Sequence, residues 1–231
     1  MKVAVHQPQY LSWIGYFHKI DRADKFVFQD DVQYKHREFQ NRNKIKTQKD
    51  TLWLTVPVKV RRNRQQLINE CEIDNTRNWP NEHLKSITQN YSKAKYFETY
   101  AEFLEDFYSQ NWDKLIDVNI HFIKYVLQEL EIETPIYLES EMRTGGKTGE
   151  DRIIEVCKHL RADTYLSGAG GREWMDLEKF DEAGIQVEFQ DFHHPVYAQL
   201  HGQFVSHLSV IDLMLNEGPN STSFIKDQHG T

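Results

Sequence analysis

The first thirty-one residues constrain the fold more than any other stretch. Val3 to Val5 is a short apolar run that reads as a buried strand. Between Ser12 and Ile20 the apolar residues Trp13, Tyr16, Phe17 and Ile20 recur at helical spacing, and Phe26-Val27-Phe28 reads as a second buried strand. A strand, a helix and a strand in this order make two parallel strands joined by a right-handed crossover, and parallel strands present their carboxyl ends to ligands. His6 and Gln7 end the first strand, and Asp30 and Asp31 end the second. Two polar clusters are therefore expected along one edge.

The pattern returns later in the chain. Pro135 to Leu138, Thr164 to Leu166 and Ile185 to Phe189 read as further strands, and Gly149 to Arg161 as a helix that Thr148 and Asp151 would open with a capping box. From Asn78 to Ile132 apolar residues recur at three- and four-residue steps, which predicts three successive helices. Leu52 to Val58 and Leu67 to Ile73 read as a hairpin around the basic turn Lys59 to Arg64, with Pro57 at an edge. A helix is expected from about Ser206 to Asn216, ended by Gly218-Pro219. The expected fold class is α/β, a mainly parallel Rossmann-like sheet of nucleotide-binding type with an added helical lobe. It forms a single domain over 1–219, with a helical insertion at about 78–132 and a flexible tail over 220–231.

A chain of 231 residues, 39% of them apolar, can bury one substantial core. The formal net charge of -7 gives no global attraction to nucleic acid or an anionic membrane. No apolar run approaches the roughly 20 residues that span a bilayer. Cys71 and Cys157 are far apart, and the opening residues lack a signal-peptide pattern, so a cytoplasmic location is expected.

Candidate binding groups follow from charge and glycine. The stretch from Val32 to Asp50 is polar and basic and follows a strand end: it reads either as a solvated loop or as a substrate-facing one, in which Arg37, Arg42 and Lys44 would clamp phosphate. Tyr91 and Lys93 lie at a helix junction, where Lys93 and Lys95 in one turn either serve solubility or add to an anion site. Ser167-Gly168-Ala169-Gly170-Gly171 follows a strand directly, and such a loop cradles phosphate or an adenylate with its N–H groups; a plain turn into the next helix is the alternative. Gly146-Lys147-Thr148 is no P-loop, because Glu141 stands where that motif needs its first glycine. The spacing of His193, His194, His201 and His207 matches no zinc signature, so no metal site is expected; His193 is instead a candidate acid or base.

An ordered set of short motifs resembles the WbqC-like protein family over residues 3 to about 218: His6-Gln-Pro-Gln-Tyr10, Trp13-Ile-Gly-Tyr-Phe17, Asp30-Asp-Val-Gln33, Asn41-Arg-Asn43, Trp53-Leu-Thr-Val-Pro57, Asn90-Tyr91, Tyr165-Leu-Ser-Gly168, Gly170-Gly171 and Leu208-Ser-Val-Ile-Asp212. Ser12 departs from the pattern, standing where a proline is common. The resemblance implies a role in surface-polysaccharide and modified-sugar synthesis, attaching glycine or another acyl group to an amino sugar. Within the matched motifs and their neighbours, Gln7, Tyr10, Trp13, Gly15, Gln33, Asn41 and Tyr197 join the candidate substrate-binding residues. A distant likeness to adenylating α/β domains rests on Trp13-Ile-Gly-Tyr16, where both histidines of their HxGH signature are missing.

The resulting expectation is a transferase or ligase that forms an amide on a nucleotide-linked amino sugar, for example as part of O-antigen synthesis. Amide formation needs an activated acyl group, a deprotonated amine and stabilisation of an oxyanion. His6 or His193 is the candidate base, Asp30 or Asp31 would orient the ammonium, and Ser167 to Gly171 would bind the activated acyl or amino-acid donor. The cofactor stays open, with ATP and Mg2+ one option and an aminoacyl-tRNA donor another. A non-catalytic sugar-nucleotide-binding or partner-binding module of the same pathway is the alternative.

Overall fold

The structure, a computed structural model, describes residues 1–59, 66–142, 144 and 147–226. Its frame is a five-stranded sheet in the order β5-β2-β1-β6-β7, every neighbouring pair parallel. The strands are β1 (Lys2–His6), β2 (Lys25–Phe28), β5 (Ile136–Leu138), β6 (Thr164–Ser167) and β7 (Gln186–Phe189). The three central strands, β1, β2 and β6, are buried on both faces, which is why Val3 to Val5 and Phe26 to Phe28 read as continuous apolar runs. Alternate residues still divide between two cores. Val3, Val5, Val27 and Tyr165 pack beneath the helices α5 (Gly149–Leu160) and α6 (Leu177–Glu182). Ala4, Phe26, Phe28 and Leu166 face the larger core on the other side. Fully buried Phe26 and Phe28 each contribute roughly 1.5–3 kcal/mol.

The larger core joins α1 (Ile14–Asp21) to the lobe formed by α2 (Trp79–Tyr91), α3 (Phe97–Ser109) and α4 (Leu115–Glu129), and to α7 (Val210–Glu217). The lobe thus lies within the core of the sheet domain, and the periodicity of residues 78 to 132 located its three helices. The Rossmann-like expectation holds for the sheet. Its strand order reverses beside β1: the chain moves outward through β2 to β5, then returns to place β6 on the other flank of β1.

Several local expectations differ. The run Leu52 to Val58 does supply a strand, β4 (Thr51–Thr55), but its hairpin partner is β3 (Arg42–Lys46), which lies inside the basic stretch Val32 to Asp50, and not Leu67 to Ile73. Ile45 and Leu54 are the hairpin's buried anchors, while its basic and polar residues mask the strand alternation. Val58 and Ile73 meet only as an isolated bridge. Thr148 is the N-cap of α5 in extended conformation, but its side chain makes no capping bond. The tail is not all frayed: α8 (Ser221–Lys226) packs on α1, with Ile225 buried and Lys226 Nζ donating to the Glu131 carbonyl. Residues 60–64 of the expected basic turn, Gly146, and tail residues 227–231 lie outside the described residues.

Candidate functional site

The reversal in strand order opens a crevice at the carboxyl ends of β1 and β6, the place where open α/β sheets receive ligands. A cavity of about 380 Å3 lies there. His6, Gln7 and Gln29 line it from the β1 and β2 side, Ser167, Gly168, Gly170, Gly171 and Trp174 from the β6 side, and Lys19 from α1. Beyond β6, the next strand is tied in by Gln190 N–H, which donates to the Ser167 carbonyl at 2.8 Å. A larger open hollow of about 780 Å3, between residues 75–81 and 108–113, is lined mainly by carboxamides and aromatic groups and lies away from the strand ends.

His6 ends β1, and its ring stands edge-on to Tyr16, centroids 5.1 Å apart. Its Nδ1 lies 3.1 Å from the Gln7 carbonyl. A carbonyl only accepts, so Nδ1 carries the proton and the lone pair is left on Nε2. Burial, then the charge of Lys19, pulls the imidazole down to about 3, while the Gln7 bond opposes the shift. His6 is therefore neutral near pH 7. Gln7 is fixed by its own contacts, accepting from Gln40 Nε2 at 2.5 Å through its side chain and from Tyr16 Oη at 3.0 Å through its backbone.

Lys19 escaped the sequence reading. The spacing of Trp13, Tyr16, Phe17 and Ile20 marks one apolar face of α1 and leaves Lys19 off it. The helix is instead buried all round, from Ile14 to Ile20. Helical side chains lean towards the helix N-terminus, here the carboxyl edge of the sheet, and Lys19 Nζ reaches the Val5 carbonyl at 2.9 Å. Lys19 is 3% exposed, and burial lowers its pKa to about 7.

The glycine loop is a tight 3-10 turn, Ala169–Glu173. Gly171 N–H bonds the Gly168 carbonyl at 2.9 Å, so this donor is used within the turn. A Cβ on Gly171 would come within 2.1 Å of Ser167 Oγ, so packing demands that glycine. At Gly168 and Gly170 an added Cβ would meet nothing within 4 Å.

Residues 7–224 match the WbqC-like protein family. The chain belongs to the WbqC-like protein family. It is 34% identical over 228 residues to the uncharacterized protein Rv1507c of Mycobacterium tuberculosis (strain ATCC 25618 / H37Rv), covering 97% of each chain. No solved structure matches. In this WbqC-like chain the family match takes in Gln7, Lys19 and the whole glycine loop, and it begins one residue after His6.

The other candidates disperse around this centre. Asp30 is 1% exposed and ties the end of β2 to its surroundings: Oδ1 accepts from Ser140 N–H at 2.9 Å, and Oδ2 from Asn69 Nδ2 at 3.4 Å. Asp31 pairs with Arg152, which also meets buried Glu139. Neither aspartate lines the cavity. His193 is exposed beside Asp191, whereas its neighbour His194 sits among Trp13, Phe192, Tyr197, Phe204 and His207 with Nε2 buried and without a hydrogen-bond partner. Trp13 crosses the face of Gly15, where an added Cβ would lie 2.3 Å from the indole.

Tyr10 is fully buried against His83 and Tyr108, and both Tyr91 and Tyr197 donate to Asp212, at 2.8 and 2.9 Å. Asn41 Nδ2 donates to the Val56 carbonyl. Arg42 and Lys44 stack on Trp53 at 4.2 and 4.9 Å to the ring centre. Gln33 bridges to Leu67 through its backbone, Arg37 is exposed at φ 64°, and Lys93 is exposed. Among the described residues no group of three or more His, Cys, Asp or Glu side chains is placed to hold a metal ion, and no helix is long and apolar enough to cross a membrane.

Proposed function

We propose that this chain forms an amide, attaching glycine or another acyl group to the amine of a nucleotide-linked amino sugar in surface-polysaccharide synthesis. The observation that carries the reading is the crevice between β1 and β6, where a neutral histidine faces a glycine loop across a cavity sized for a small ligand. The substrate class in this reading is the one that the resemblance to the WbqC-like family implies. In an ATP-dependent version, the acyl carboxylate displaces pyrophosphate from ATP, and the amine then attacks the acyl carbon and releases AMP. The attacking nitrogen loses a proton as the amide forms, and His6 Nε2, with its lone pair exposed by the Nδ1 bond, is the acceptor. Gly168 and Gly170 leave room for the activated donor on the opposite wall.

Incubating the protein with glycine, ATP and a panel of amino-sugar nucleotides, followed by mass spectrometry, tests the reaction. An amide product with AMP release is expected, and His6→Asn should lower turnover at least tenfold while sugar-nucleotide binding persists. Binding without turnover by the wild type, whatever the donor, would leave a non-catalytic module instead.

A further inference from the structure

The crevice contains a buried amine, Lys19, with no anion beside it among the described residues. Lys19 Nζ has one hydrogen-bond partner among the described residues, the Val5 carbonyl, although an ammonium carries three donors. No carboxylate pairs with it among the described residues, and burial alone accounts for its altered basicity. The other polar side chains around the cavity, His6, Gln7, Gln29 and Ser167, carry no formal negative charge. Buried charges are ordinarily paired, so a lysine held here without an anion is costly for the protein alone.

The opposite wall has matching space. Gly171 is required by the packing of Ser167, but Gly168 and Gly170, which also line the cavity, are required by neither packing nor a left-handed backbone: an added Cβ at either would meet nothing within 4 Å. Gly168 itself has φ -66°, a conformation any residue adopts. Two residues without side chains therefore line the same cavity as a buried amine that has no anion beside it among the described residues.

We propose that the crevice is a phosphoryl-anion subsite in which Lys19 meets the phosphate of a nucleotide and Gly168 and Gly170 give that phosphate room. The inference rests on reading the crevice as the ligand site, and it does not depend on amide chemistry. The site takes a phosphate ester or diphosphate, carried by an adenylate or by a sugar nucleotide. Its occupation also bears on His6, because an anion beside Lys19 offsets one of the two influences that depress the imidazole and so strengthens it as a base.

Calorimetric titration of the whole protein with pyrophosphate, AMP and UDP, against adenosine and uridine, tests the subsite without requiring turnover. Phosphate-bearing probes should bind at least tenfold more tightly than their nucleosides, with AMP against UDP distinguishing the two carriers. Lys19→Met should weaken the phosphate-bearing probes by roughly ten- to a hundredfold, the range of a charge-assisted hydrogen bond. It should also unfold at a higher temperature than the wild type without ligand, since the unmatched charge is gone. Gly170→Val, whose side chain enters open space, should weaken the same probes with its melting temperature unchanged, which covers the case of a misfolded Lys19 variant. Equal binding of nucleotides and nucleosides, no binding of any phosphate-bearing probe, or wild-type affinity in both variants overturns the proposal. Tight phosphate binding with no amide product would sink the proposed reaction and leave the subsite standing.

Discussion

Several polar side chains that look available in the sequence are already engaged inside the fold. Tyr91 and Tyr197 converge on Asp212, whose carboxyl is pushed up by burial and held back by these same hydroxyls. Tyr91→Phe removes one donor from a buried acceptor and should cost about 1–3 kcal/mol in a urea titration. An unchanged midpoint would place Tyr91 outside the supporting network. Gly15 is governed by space. Gly15→Ala brings a methyl within 2.3 Å of Trp13, so the indole must leave its stack on His207; the expected cost is about 1–3 kcal/mol together with a shift in tryptophan emission. His6, Gln7 and the glycine loop could be placed from sequence because each ends a recognisable strand. Lys19 could not, because the face of α1 opposite the apolar stripe is covered by Gln190 and the segment after it, whose packing has no local signature. Gln190 Nε2 bonds both the Gly15 carbonyl and the His18 ring, at 2.8 and 2.9 Å.

At the scale of elements, the ends of strands are fixed by ion pairs between pieces far apart in sequence. Arg152 projects from α5 to meet Asp31, just past β2, and Glu139, just past β5. Glu139 is wholly buried. Arg152→Met leaves two carboxylates without their cation and should cost about 3–5 kcal/mol by chemical denaturation. A loss under 1 kcal/mol would show that these carboxylates do not depend on the arginine. The strands and lobe helices were legible because their periodicity survives burial. Strand β3 was not, since its buried positions other than Ile45 are the polar Asn43 and Lys46, which hide the strand pattern. The helix α8 was missed for a similar reason: Ile225 alone is its buried hydrophobic anchor in a polar hexamer.

For the whole molecule, one hydrophobic cluster runs from Ala4 in the sheet through the lobe to Ile225. Scanning calorimetry should therefore give one unfolding transition, and separate transitions for lobe and sheet would contradict a shared core. Two buried histidines and Lys19 each add a slope of the same sign to the pH profile, and buried Glu139, raised to about 7, opposes the histidines between about 4.5 and 7. Burial lowers His83 to about 4 and His6 to about 3, against 6.5 when unfolded. The unfolded chain takes up those protons first, so the histidines' contribution to stability falls as pH drops from about 6.5 towards 4. Lys19 is at about 7 folded against 10.5 unfolded, so the unfolded chain holds the extra proton in that window and stability rises with pH through it. Urea midpoints should increase from pH 7 to 9, and Lys19→Met should remove that increase; a flat profile over this window would count against the burial of Lys19. The order of strands has a further consequence during synthesis. β1 occupies the middle of the sheet, yet Lys2 must wait for Thr164 before that flank is paired. Until β6 leaves the ribosome, the crevice lacks one wall and a central strand keeps an open edge, so a nascent chain halted before residue 164 should bind chaperones and no nucleotide.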